Sequence, residues 1–137
     1  MAAEVAAEVA TKVWNRACDV IASEDYGSAR DGDRALVAAI VLDGAVQSGG
    51  LGSAVEQGLT GPGVEALRWF GLDDIADVVA RGERRVAEAT VTGDLAAVEE
   101  VEFTDDPEYY SLDVEQRLTQ ALASRLEAAP EAFAPVA

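Results

Sequence analysis

Apolar residues recur along this chain at intervals of three and four, the spacing that puts them on one face of an α-helix. Val5, Val9 and Val13, continued by Ala17 and by Val20 with Ile21 and widened by Trp14, predict a first helix to about Glu24. Gly27 stops it, and Ser28 to Gly32 reads as a loop. Asp33 is placed to cap a second helix, whose Leu36, Val37, Ile40 and Val41, extended by Ala45, form an apolar face up to Gly49-Gly50. Gly44 within it costs about 1 kcal/mol relative to alanine; it fits either close approach of another backbone or a weak spot.

Glycine and proline punctuate the middle of the chain. Leu51 to Gln57 reads as a short helical piece closed by Gly58, and Gly61-Pro62-Gly63 opens a helix over Val64 to Phe70 that ends at Gly71. Asp73 or Asp74 can cap a helix with Ile75, Val78, Val79 and Val86 on one side, running to about Ala89 before a loop from Thr90 to Gly93. Leu95, Val98 and Val101 are three apart, while strand-type alternation over Val98 to Phe103 is imperfect, so a short helix is predicted there. Asp106-Pro107 reads as a cap with a first-turn proline. Ser111 or Asp113 starts a last helix carrying Val114, Leu118, Ala121, Leu122 and Leu126, stopped by Pro130. The expectation is an all-α single domain over residues 1–137, six or seven short helices packed around Leu36, Ile40, Leu67, Val78, Leu118 and Leu122.

Charge changes this picture from one of fold to one of partners. The 137 residues hold 26 Asp plus Glu against 10 Lys plus Arg, a net charge of -16. Met1 to Thr92 carries 15 acids and 8 bases, whereas Gly93 to Ala137 carries 11 acids and 2 bases. Seven carboxylates (Asp94, Glu99, Glu100, Glu102, Asp105, Asp106 and Glu108) succeed one another with no base between them. Such a surface repels nucleic acid and anionic membrane and favours a basic protein partner. The same acidity also fits codon bias or salt adaptation of a whole proteome.

The residue types exclude much chemistry. With no histidine there is no histidine triad, general base or metal ligand. Cys18, the single cysteine, forms no intrachain disulfide and reads as a buried, inert thiol. The glycines from Gly49 to Gly63 match neither phosphate-binding signature. The pairs Asp31 with Asp33, Asp73 with Asp74, and Asp105 with Asp106 stand where helices begin and read as capping groups. Arg81, Arg84 and Arg85 read as a surface turn paired with Asp77, Glu83 and Glu88. Trp69 and Phe70 read as core. The acidic start and the absence of an apolar run near the roughly 18 residues of a membrane span point to a cytoplasmic protein, with no cofactor or metal.

The order Val46-Gln47-Ser48-Gly49-Gly50-Leu51, then Ala66-Leu67 and Phe70-Gly71-Leu72, resembles a small all-helical bacterial family of DMP-type DNA-mimic proteins. That family has a valine, an asparagine and Gly-Gly-Phe at the first place, Ala-Leu at the second, and an isoleucine-glycine-alanine turn at the third. The best match is residues 33–86, and Asp106, Tyr109, Tyr110 and the helix to Phe133 extend the resemblance over about 11–133. Ala45 stands where the family has glutamate, Ser48 where it has asparagine, and Ser53, Ala54 and Val55 where it has glutamine and aromatics. The glycines Gly49, Gly50 and Gly71 and the apolar frame are kept, and these report fold better than function. The resemblance implies a non-enzymatic helical domain that occupies the DNA-binding face of a regulator. Two alternatives share the same residues: an immunity or antitoxin-type inhibitor of a basic toxin, and a carboxylate-metal enzyme. A homodimer is compatible with either binding role.

Overall fold

A computed structural model of the chain describes residues 3–136; Met1, Ala2 and Ala137, which the expected domain includes, lie outside the described residues. The helices run α1 (Ala3–Ser23), α2 (Asp31–Glu56), α3 (Thr60–Trp69), α4 (Asp73–Thr92), α5 (Leu95–Glu100), α6 (Asp106–Tyr110) and α7 (Val114–Ala128). A π-helical turn, Val101–Asp105, joins α5 to α6, and a 3-10 turn, Pro130–Ala132, comes after α7. The described residues form a single all-α domain.

α2 is the central element, packed by α1, α3, α4, α6 and α7. Leu36, Leu42, Val46, Leu51 and Ala54 are completely buried along it. Ile75 and Val79 of α4, Leu67 of α3, Leu118 and Leu122 of α7, and Val13 of α1 close around them. Of the expected core, Leu36, Leu67, Val78, Leu118 and Leu122 are buried, but Ile40 is only partly covered. Ala39 and Leu42 point into the core instead, because several helices surround α2 and its inward arc is wider than one stripe. By length and composition α2 could cross a bilayer, contrary to the reading that no stretch comes near that length. Its apolar residues are used in packing.

Two glycines allow this close packing. A Cβ added at Gly63 would lie 2.8 Å from Leu42 Cβ, so α3 can rest on α2 only without a side chain there. At Gly82 an added Cβ would lie 2.9 Å from Leu51 Cδ1, which lets α4 approach the far half of α2. Gly44 meets nothing within 4 Å, so the close-approach reading of that position is wrong.

Three further expectations need correction. Asp33 is not the cap of α2 but lies within its first turn, where Oδ2 accepts the Arg30 and Ala134 backbone N–H groups at 3.0 and 2.8 Å. Its Oδ1 accepts Arg16 Nη2 at 2.7 Å, so one buried carboxylate ties α1, α2 and the C-terminal segment together. Leu72, not Asp73 or Asp74, precedes α4; Asp74 instead holds Arg117 of α7 bidentately at 2.6 and 2.9 Å. Cys18 is exposed, because Val13 and Ala17, four residues apart, define the inward side of α1 and the next residue is turned about 100° away.

Candidate acidic interaction surface

The seven-carboxylate segment does not form one continuous surface. It folds as α5, the π turn and α6, which run against α4 and across the middle of α2. Val101, Asp105 and Tyr109 are four residues apart and all buried, so this side faces the protein. Asp105 is fully buried, and its Oδ1 accepts Arg81 Nε and Arg85 Nη1, both at 2.7 Å. Its Oδ2 accepts no hydrogen bond from a described residue. Arg81 also donates to Glu108, and these two carboxylates hold its guanidinium above its ordinary basicity, Glu108 contributing most.

Asp106 acts across the fold. At Gly50 the α2 backbone leaves helical geometry, with φ 79° and ψ 178°, and the two pieces predicted on either side of Gly49-Gly50 meet at this kink. The Leu51 N–H is directed to Asp106 Oδ1 at 2.9 Å. The sequence reads Asp106 as the cap of its own helix; it caps the second half of α2 instead. Tyr109 and Tyr110 complete the clasp, the first donating from its hydroxyl to Asp43 Oδ1 at 2.7 Å and the second to the Val46 carbonyl at 2.8 Å. Burial, followed by the Asp43 carboxylate, pushes the Tyr109 hydroxyl far above the usual phenolic range. Burial and the nearby Asp106 charge move Tyr110 in the same direction.

Asp94 is also a structural group, capping α5 by accepting the Ala96 N–H at 2.9 Å. The remaining acids divide by exposure. Glu100 is more than half exposed, accepts the Thr104 hydroxyl, and stands 3.8 Å from Arg85. Glu108 is partly exposed beside Arg81. Glu99 and Glu102 are exposed and their carboxylates make no hydrogen bond or ion pair with a described residue. At about 100° per residue Glu99 is turned about 160° from Val101 and Glu102 about 100°, which with their exposure sets both outside the buried row. No basic residue occurs between Arg85 and Arg117, so the sequence supplies no local counter-charge.

The expected pairing of the trio Arg81, Arg84 and Arg85 with Asp77, Glu83 and Glu88 is therefore wrong at Arg81 and Arg85. Both arginines turn toward Asp105, and Asp77 is held by Arg68 at 2.8 Å. Charge-assisted bonds to a buried carboxylate outweigh exposed pairs along one helix, which are worth only about 0.3–0.5 kcal/mol. Of the three glycines singled out, Gly50 forms the kink and Gly71 the left-handed turn after α3, at φ 78°. A Cβ at Gly49 would meet Ser53 Cβ at 2.8 Å.

A cleft of about 800 Å³ opens between α2 and the start of α7, where Asp43, Gln47, Tyr110, Asp113 and Glu115 line it. Among the described residues no three acidic or sulfur-bearing side chains converge as a metal-binding group. Neither a family model, nor a curated protein, nor a solved structure matches this chain.

Proposed function

We propose that this chain is a non-enzymatic, cytoplasmic interaction module that uses the outer face of α5 and the π turn to occupy a basic surface on another protein. The observation that carries this reading is the exposure of Glu99 and Glu102, without partners among the described residues, in a stretch that has no lysine or arginine of its own. Glu100 and Glu108, partly exposed, widen the negative field. Arg81 and Arg85 hold the segment against α4, so the outward carboxylates are presented by fixed backbone, which lowers the entropic cost of binding. Occupation of a regulator's DNA-binding groove is one form of the reading, since duplex DNA offers one negative charge per roughly 1.7 Å of axis and an acidic face can take its place. The resemblance to DMP-type DNA mimics supports that form.

The test is titration of a partner captured from host lysate at low salt. The Glu99→Gln, Glu102→Gln double variant is expected to bind more weakly than wild type, whereas Glu4→Gln, Glu8→Gln on α1 is expected to bind as wild type does. Equal affinity of all three proteins contradicts the reading.

A further inference from the structure

The outward face of α5 and the π turn is not purely acidic. Leu95 is 76% exposed, Phe103 75% and Val98 39%. Leu95 and Val98 are three residues apart on α5. At about 100° per residue Leu95, Glu99, Glu102 and Phe103 are turned by between about 100° and 160° from the buried Val101, and all four are exposed. α5 has no buried residue along its whole length, so Leu95 and Val98 have no place in the core, and Phe103, on the π turn, stays outside it as well. A surface that imitated only a phosphate backbone would have no use for a phenylalanine and a leucine held in water. Apolar side chains fenced by charge are instead the pattern of a protein-binding patch.

From this, and resting on the interaction-module reading above, we infer that the partner's contact segment is a cationic amphipathic helix. Its apolar side would cover Leu95, Val98 and Phe103, and its lysines or arginines would meet Glu99 and Glu102. Charge complementarity selects this occupant over a second copy of the chain. A homodimer through this face would bring together two surfaces with the same uncompensated carboxylates, in molecules of net charge -16. In this arrangement the carboxylates supply attraction and orientation, and the apolar groups supply the part of the affinity that salt does not screen.

Two synthetic peptides of equal positive charge test this by fluorescence anisotropy: an amphipathic arginine-leucine helix and an oligoarginine without apolar residues. Wild type is expected to prefer the amphipathic peptide by about tenfold or more, with the preference persisting at high salt. Leu95→Ser with Phe103→Ser is expected to abolish the preference while leaving oligoarginine binding unchanged. Glu99→Gln with Glu102→Gln is expected to weaken both peptides. Equal binding of the two peptides by wild type overturns the inference and leaves the acidic-module reading standing; this comparison does not depend on any variant folding. A preference that survives the double serine variant also overturns it, because the apolar contact then lies elsewhere. If neither peptide binds, both readings fail. A wild-type dimer that the serine variant converts to monomer in sedimentation assigns the face to a second copy and overturns the inference.

Discussion

The Asp106 carboxylate accepts the Leu51 backbone N–H at 2.9 Å, linking residues 55 positions apart at the one place where α2 departs from helical geometry. A helix interrupted by Gly50 exposes a new N-terminus partway along its length, and its first free N–H needs an acceptor. Asp106 supplies it, as a capping residue would, but from another element. The same geometry explains why the segment that carries Asp106 lies where it does: Tyr109 and Tyr110 anchor to Asp43 and Val46, both on the half of α2 before the kink.

Gly50 and Asp106 should therefore be energetically coupled. At φ 79° and ψ 178° any residue other than glycine is strained by about 1–3 kcal/mol. An added Cβ would also stand 2.7 Å from Asp106 Oδ2. Gly50→Ala is expected to lower stability by that amount or more, and Asp106→Ala by about 1 kcal/mol, the usual cost of a lost cap. In a double-mutant cycle by urea denaturation the double variant is expected to lose less than the sum of the two. Strict additivity would show that the carboxylate and the kink are independent.

Neighbouring acids of the same run should behave in opposite ways. Asp105 is fully buried between two arginines, so Asp105→Ala leaves two guanidiniums without their shared partner and is expected to cost about 3 kcal/mol. Glu102→Gln, at an exposed position with no ion pair among the described residues, is expected to change stability by less than about 0.5 kcal/mol. Thermal melts of both variants check this. Similar losses from the two would mean that the run is uniformly solvated or uniformly structural.

Tyr109 gives the fold an alkaline limit. Its folded-state ionisation is raised by burial and by Asp43, so the stability it contributes is fully present below the unfolded phenol's value of about 10 and is lost as pH rises beyond it. The melting temperature is expected to fall above about pH 10, with a loss approaching 1.4 kcal/mol per pH unit for this one group. Tyr109→Phe, at a cost near 1 kcal/mol at neutral pH for the hydrogen bond, should flatten that fall. Tyr110 shifts in the same direction, so part of the slope should remain until it too is replaced. An unchanged alkaline slope in Tyr109→Phe would contradict this assignment.

The helices are legible in the sequence because their apolar spacing and their glycine stops agree: Val13 and Ala17 in α1, Ile75 and Val79 in α4, and Leu118 and Leu122 in α7 mark inward sides by spacing alone. The candidate surface is legible only as a charge total. A run of carboxylates does not separate Asp105 from Glu102, three residues earlier, although one is completely buried and the other exposed. The signal that separates them is phase: Val101, Asp105 and Tyr109 recur every four residues, and a carboxylate within that apolar row needs a buried cation. Arg81 and Arg85, also four apart, are that cation pair, but their match to Asp105 is a tertiary relationship with no local trace. Phe103 is hidden for a related reason, since in the sequence it only ends an imperfect alternation from Val98, and the fold alone shows that its side is uncovered.

The most direct test of the central claim is the salt dependence of binding between the captured partner and this chain, measured by titration calorimetry on wild type and on Glu99→Gln, Glu102→Gln. Wild-type affinity is expected to fall as salt rises, and the variant to start lower at low salt and fall less steeply, since two of the charges being screened are gone. If wild type and variant bind with the same affinity and the same salt dependence, the outward carboxylates take no part in recognition and the acidic-module account is wrong.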